Sequence, residues 1–161
     1  MTDRPEGAAA PAGPSFASSR AYPSRPFLAA SVAVFRDGLV LLAERAAPPG
    51  DRRFSLPGGL VEPGETIREA ALRELHEETG VVAEIVGFND HVEVIERDAE
   101  GRVSAHFVVT SFVGRWVSGE AATGPEALRT LWVAPDAVGH LHTTAQLPAI
   151  LLRAAAIAAR G

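Results

Sequence analysis

The sequence predicts an α/β protein in which helices cover both sides of a mixed β-sheet, an α/β/α sandwich. Segments rich in β-branched and aromatic residues lie before and after one helical segment, and an Ala- and Leu-rich helical pattern closes the chain. Strands and helices in this order favour a sheet with a helix layer on each face. The 161 residues, 47% of them hydrophobic, are enough for one domain with a sizeable core.

The first 26 residues differ in composition from the rest of the chain. They are rich in Ala, Pro, Ser and Gly and contain few side chains whose burial could offset the entropy of ordering. We therefore expect a flexible tail over residues 1–26 and a folded domain over residues 27–161. Two apolar segments open that domain and flank Asp37 and Gly38, a pair that favours the turn of a β-hairpin.

The middle of the chain predicts a loop, a helix and further strands. Residues 46–59 contain enough Pro and Gly to exclude regular structure and enough arginine to contact phosphate. Thr66 can begin a helix in a capping box with Glu69, and Gly80 can end it. The other predicted elements are strands over 81–88, 91–97 and 103–116, a turn at 98–101, a short strand over 131–135 and a helix over about 145–160.

Charge and composition narrow the classes of function. A formal net charge of -5 gives no broad basic surface, so nonspecific nucleic-acid binding is disfavoured and anionic substrates require local cations or a metal. The sequence contains no cysteine, which rules out disulfide and thiolate sites. It has no apolar run long enough to span a bilayer and no export signal. We expect a soluble cytoplasmic protein that binds no membrane.

The predicted helix carries acidic residues where apolar ones are expected. At about 100° per residue, Ile67, Ala71 and Leu75 define the buried stripe, and Glu74 and Glu78 fall about 20° to either side of Ile67. Burying several carboxylates together is costly unless a cation lies among them. Mg²⁺ fits best, because it prefers hard oxygen ligands and keeps water positions that phosphates can fill. The alternative is a solvated helix stabilised by salt bridges.

The stretch GLVEPGETIREAALRELHEETGV, residues 59–81, resembles the Nudix box. That box is a Gly, five residues, a Glu, seven residues, Arg-Glu, an aliphatic, one residue, Glu-Glu, one residue, Gly and an aliphatic. Every defined position agrees, through Gly59, Glu65, Arg73, Glu74, Leu75, Glu77, Glu78, Gly80 and Val81. The resemblance implies a Nudix hydrolase with the Nudix-type α/β/α sandwich.

The resemblance also implies a metal site, with Mg²⁺ as the expected cofactor and Mn²⁺ as the alternative. In Nudix hydrolases three glutamates and one backbone carbonyl bind the metal, at the positions of Glu74, Glu77, Glu78 and Gly58. The position of Glu65 supports the site, and the position of Arg73 orients its neighbours. Metal ions in such a site neutralise charge on the pyrophosphate and activate water for attack at phosphorus.

The general base and the substrate contacts lie in less specific positions. Glu126 stands six residues before Trp132, where many Nudix relatives carry a loop carboxylate, and is the leading candidate for the base outside the box. An exposed loop glutamate without a catalytic role is the alternative. Phe54 offers a ring on which adenine can stack, and Arg45 offers a cation for a phosphate. Packing and surface roles are equal alternatives for these two residues.

The segments 94–116 and 128–138 resemble the small bacterial ADP-ribose pyrophosphatases, within a likeness that runs from Phe27 to Leu152. That resemblance implies hydrolysis of ADP-ribose to AMP and ribose 5-phosphate, and a homodimer. Another ADP-ribose-specific group carries a proline downstream of the box, and none occurs between Gly80 and Pro125. A house-cleaning hydrolase of noncanonical or oxidised nucleoside triphosphates is therefore the second reading. A non-catalytic nucleotide-sensing module is the third, and the intact box disfavours it.

Overall fold

A computed structural model describes residues 20–45, 52–123 and 127–160. The chain order of its elements is β1 Phe27–Arg36, β2 Leu39–Arg45, β3 Phe54–Ser55, β4 Gly58–Leu60, α1 Ile67–Thr79, β5 Val82–Arg97, β6 Val103–Ser118, β7 Ala127–Val133, a short 3₁₀ turn Val138–His140 and α2 Leu147–Ala158. Strands thus lie before and after α1, and a helix closes the described chain, as the sequence predicts.

The strands of the described ranges form one seven-stranded sheet. Its main path runs β3-β2-β1-β6-β5, with β4 added to β1 and β7 added to β2. The pair β1–β6 is parallel, whereas β1–β2, β2–β7 and β5–β6 are antiparallel. The prediction of a mixed sheet is confirmed.

The two helices cover opposite faces of this sheet. Successive residues of a strand point to opposite faces, and in β1 Val32 packs in a core cluster with Leu75 of α1, whereas the next residue, Ala33, packs in a second cluster with Leu151 of α2. All four of these side chains are fully buried. The two clusters are the two cores of an α/β/α sandwich, and the predicted fold class is confirmed.

The ends of α1 follow the local chemistry of its sequence. Thr66 accepts from the backbone N–H of Glu69, while the Glu69 carboxylate accepts from the backbone N–H of Thr66 at 2.7 Å, which completes the capping box. Gly80 takes a left-handed φ of 72° and donates its N–H to the carbonyl of His76. The predicted limits of this helix are therefore confirmed.

Both predicted turns are present. Asp37 and Gly38 have φ values of 52° and 78°, and the flanking residues Arg36 and Leu39 are strand partners, as a tight hairpin requires. At the β5–β6 turn, the N–H of Gly101 donates to the carbonyl of Asp98 at 3.0 Å.

Two predictions of local structure are wrong. The predicted loop over residues 46–59 contains β3 and the start of β4, because Phe54 pairs with Glu44 of β2 and Gly59 pairs with Ala30 of β1. The predicted strands over 81–88 and 91–97 are one strand, β5, in which bulges near Gly87 carry the chain past the glycine. In both cases, pairing with a distant strand overrides the local signal.

The predicted tail lies mostly outside the described residues, since the description begins at Arg20. Tyr22 donates its N–H to the carbonyl of Ser104 at 3.0 Å, and Arg102 lies over its ring. The division into tail and domain stays a prediction. In the described ranges, neither helix combines the length and apolar character needed to cross a membrane.

Candidate active site

The helix α1 carries two glutamates on its inner side. Glu78 is 8% exposed and the side chain of Glu74 is 13% exposed, whereas the side chain of Glu77 is 58% exposed. Glu78 is buried beside Leu75 and Ala71, which pack in the core. The prediction that carboxylates enter the buried stripe of this helix is confirmed.

The strand β4 brings backbone against these carboxylates. Gly58 donates its N–H to Oε2 of Glu78 at 3.1 Å. A Cβ added to Gly59 would overlap the carboxylate of Glu74, so glycine at this position makes the space that the carboxylate fills. Gly58 and Gly59 are held there because β4 pairs with residues 29–31 of β1. Sheet pairing therefore positions the glycines and the helix positions the glutamates.

Arg73 connects the acidic side chains of the box. Its Nε and Nη2 donate to the two oxygens of Glu65 at 3.0 and 2.7 Å, and its Nη1 donates to Glu74 at 3.0 Å and to Glu77 at 3.1 Å. Its Nη2 also donates to the carbonyl of Leu60 at 3.0 Å. These five contacts match the five N–H donors of a guanidinium, so Arg73 holds three glutamates in a defined arrangement.

The same contacts shift the protonation equilibria of Glu65 and Arg73. The hydrogen bond from Arg73, followed by the backbone N–H of Glu62, lowers the pKa of Glu65 to about 2. The hydrogen bond to Glu65 in turn raises the pKa of Arg73 above its usual range. Both groups are therefore ionised at neutral pH, and a Glu65 carboxylate with a permanent cation beside it is unsuited to accept a proton.

The chemistry of the donors fits a hard divalent cation. Carboxylate oxygens are the ligands that Mg²⁺ prefers, and α1 carries three of the required groups at Glu74, Glu77 and Glu78. As they stand, no three acidic or histidine side chains of the described ranges come together closely enough to hold a metal ion. Glu74 and Glu77 both contact Nη1 of Arg73, so their oxygens surround a cationic group already.

A second pair of charged residues, on β2 and β7, was not predicted from the sequence. Glu44 of β2 is 6% exposed, and its Oε2 accepts from Nε of Arg129 of β7 at 2.6 Å. Glu44 is the strand partner of both Arg129 and Phe54, and the Arg129 guanidinium lies 5.2 Å from the centre of the Phe54 ring. The available signal was Glu44 itself, a charged residue directly after the apolar run of residues 39–43.

Three further site residues were predicted from the sequence, namely Phe54, Arg45 and Glu126. Phe54 is 4% exposed and packs in the core beneath α2, so stacking with adenine would require its ring to be uncovered and stays a prediction. Arg45 is the last residue of β2 and pairs with Ala127, but its side chain lies outside the described part of the chain. Glu126 also lies outside the described residues, and its role as base stays a prediction.

Known proteins resemble this chain in sequence. A model of the NUDIX domain matches residues 25–154. An ADP-ribose pyrophosphatase of Methanocaldococcus jannaschii is 33% identical over 102 residues, which are 63% of this chain and 58% of that protein. A CTP pyrophosphohydrolase of Escherichia coli K12 is 39% identical over 69 residues, which are 42% of this chain and 49% of that protein. The chain thus spans about half the length of these curated relatives.

Solved structures share the fold. The crystal structure of a MutT NUDIX hydrolase from Burkholderia pseudomallei matches with a TM-score of 0.70 and 27% sequence identity, over 81% of this chain and 98% of that one.

Proposed function

This chain belongs to the Nudix family, and on that premise we propose that it is a Mg²⁺-dependent hydrolase of nucleoside diphosphates linked to another group, with ADP-ribose as the preferred substrate. One observation supports this most strongly. Glu74 and Glu78 lie at the inner side of α1 against two glycines of β4, and one arginine, Arg73, contacts Glu74 together with Glu65 and Glu77. A solvated helix has no need of that arrangement, since exposed ion pairs contribute little to stability.

The metal would be held by Glu74, Glu77 and Glu78, together with the carbonyl of Gly58. When bound, Mg²⁺ supplies charge neutralisation at the pyrophosphate and acidifies water. Because Glu77 is exposed and joined to Arg73 by a single hydrogen bond, its carboxylate is the one that moves at least cost. Glu65 keeps Arg73 in place through two hydrogen bonds and takes no proton.

Glu126 is proposed as the general base that accepts the proton of the attacking water. It immediately precedes β7 in the sequence, and the first residue of β7, Ala127, pairs with Arg45 at the end of β2. If Glu126 has this role, Glu126→Gln lowers kcat by about 10²- to 10⁴-fold and changes KM much less. A decrease in kcat below about threefold, far under the range for loss of a general base, would return the role to a glutamate of the box.

ADP-ribose is proposed as substrate because the relative in Methanocaldococcus jannaschii with that activity matches the chain over 102 residues. Hydrolysis would give AMP and ribose 5-phosphate. The second candidate is a nucleoside triphosphate, and it is favoured by the match to a CTP pyrophosphohydrolase. A homodimer, a cytoplasmic location and the absence of nucleic-acid binding stay predictions.

A substrate panel with identified products tests the proposal. With Mg²⁺ present, the kcat/KM for ADP-ribose should exceed that for every common nucleoside triphosphate, because specificity is the ratio of these constants. In water labelled with ¹⁸O, the label should enter one of the two product phosphates, since attack is at phosphorus. Release of pyrophosphate from a triphosphate, with ADP-ribose left intact, would replace the proposed substrate with the second candidate.

A further inference from the structure

We propose that Arg129 binds a phosphate group of the substrate, an assignment that rests on the proposed function, and that buried Glu44 positions it for this role. The Nε of Arg129 donates to Glu44 at 2.6 Å. Its two terminal nitrogens donate to no residue of the described ranges, and the side chain is 67% exposed. The free edge of this guanidinium therefore offers several N–H donors to a ligand.

The pairing of Glu44 with Arg129 is a poor device for stability alone. The Glu44 side chain is 7% exposed among the apolar residues under α2, and removing a carboxylate from water is costly even when it is paired. Two apolar residues would fill the same strand positions at least as well. What the ion pair adds is orientation, because Glu44 holds one edge of the guanidinium and the Phe54 ring lies against its face.

The proposed substrate is anionic, and the site needs a cation that is not already occupied. Arg73 cannot serve, since its five donors are engaged by glutamates and by the Leu60 carbonyl. Arg129 uses one donor and keeps its terminal fork, the part of arginine that matches two oxygens of a phosphate.

Chain connectivity keeps Arg129 near the carboxylates of the box. Its guanidinium contacts Phe54, which precedes Gly58 by four residues, so the Cα atoms of Phe54 and Gly58 are at most about 14 Å apart. Gly58 in turn contacts Glu78. Arg129 also follows the proposed base, Glu126, by three residues. The box glutamates lie on the α1 side of the sheet, whereas Arg129 lies on the α2 side with its strand neighbours Glu44 and Phe54. A phosphate of a nucleotide bound at the box would therefore meet Arg129 past the short strands β3 and β4.

Binding of AMP and of adenosine to the full chain tests this role without depending on catalysis. Titration calorimetry with Mg²⁺ present should show that Arg129→Gln weakens AMP binding by about tenfold or more, as expected for loss of a charged hydrogen bond. Adenosine binding should stay unchanged, because adenosine has no phosphate. In kinetics with ADP-ribose, the same variant should raise KM more than it lowers kcat, and Arg129→Lys should restore the affinity only in part.

Two further variants separate ligand binding from folding. In Arg129→Gln the Glu44 carboxylate loses its partner, so the double variant Glu44→Gln, Arg129→Gln, with two neutral amides, provides the folded comparison. Glu44→Gln alone should weaken AMP binding by a smaller factor than Arg129→Gln. The matched control is Arg115→Gln, which breaks an exposed strand pair with Glu84 at 2.8 Å and should leave AMP binding unchanged.

The outcomes distinguish this inference from the proposed function. Unchanged AMP binding in the folded double variant, equal loss of AMP and adenosine binding, or a wild type that does not bind AMP would each overturn the role of Arg129. If the wild type binds AMP through Arg129 and hydrolyses no nucleoside diphosphate derivative, the proposed hydrolase activity fails and the phosphate contact stands.

Discussion

Two arginines of this molecule, Arg73 on α1 and Arg129 on β7, contact glutamates in opposite ways. Arg73 donates to three glutamates and a carbonyl and has no donor left. Arg129 donates through Nε to the single buried carboxylate of Glu44 and keeps its terminal edge exposed. The difference indicates that the first arginine organises protein groups, whereas the second is itself organised and left open to a ligand.

The largest effect is expected at Glu78, which lies on α1 and accepts a hydrogen bond from β4. Glu78→Gln should lower kcat/KM by about 10³-fold, because a metal contributes several kcal/mol of charge stabilisation in the transition state. The amide oxygen can still accept from the N–H of Gly58, so the far-ultraviolet circular dichroism spectrum should not change. Glu84→Gln on the exposed end of β5 is the matched control, and near-normal turnover in Glu78→Gln would exclude Glu78 as a metal ligand.

Replacing the saturated arginine should destabilise the fold as well as impair activity. Arg73→Gln removes the cation shared by Glu65, Glu74 and Glu77, two of which are largely buried, and should lower the thermal midpoint by about 5 °C or more. Arg115→Gln, at an exposed pair, should change the midpoint far less. If both variants melt alike, Arg73 does not organise the box and the contrast with Arg129 loses its basis.

A smaller shift should follow from the metal itself. A ligand that binds only the folded state raises stability by RT ln(1 + [L]/Kd), so millimolar Mg²⁺ should raise the midpoint of the wild type by a few degrees and EDTA should reverse it. Glu78→Gln should lose most of this shift, whereas Arg129→Gln should retain it. A wild-type midpoint that is insensitive to Mg²⁺ would favour a solvated, salt-bridged helix.

The smallest effect concerns the pH dependence of the contact between Glu65 and Arg73. The pKa of Glu65 is lowered from 4.5 to about 2, so its contribution to stability is complete above about pH 5 and is lost as the pH falls toward 2. The difference in urea midpoint between wild type and Glu65→Gln should shrink over that interval. A difference that stays constant from pH 6 to pH 2.5 would mean that ionised Glu65 is not favoured by the fold.

The parts of the site that lie on α1 could be predicted because their determinants are close in sequence. Thr66 and Glu69 form the capping box within one turn, and the spacing of Glu74 and Glu78 places both on the inner side of the helix. Even the contact between Arg73 and Glu65 joins residues eight positions apart. Helical periodicity and caps are local properties, so they can be predicted from the sequence alone.

The parts contributed by β2, β3 and β7 depend on long-range pairing. Glu44 and Arg129 are 85 positions apart, and nothing local shows that they are strand partners. Phe54 lies in a segment that the sequence predicts as a loop, whereas in the structure β3 pairs with β2 and the ring is buried. A shift of one residue in either register would turn these side chains to the other face of the sheet.

The sequence by itself determined the fold class, the capped helix and the acidic box that places this chain in the Nudix family. Only the tertiary structure decided that Gly58 and Gly59 lie against the box glutamates, and that Arg73 is saturated while Arg129 keeps an open edge. The physical reason is the range of the interactions. Helix periodicity acts over a few residues, whereas strand register joins residues that the chain keeps far apart and is specified by packing of the whole sheet.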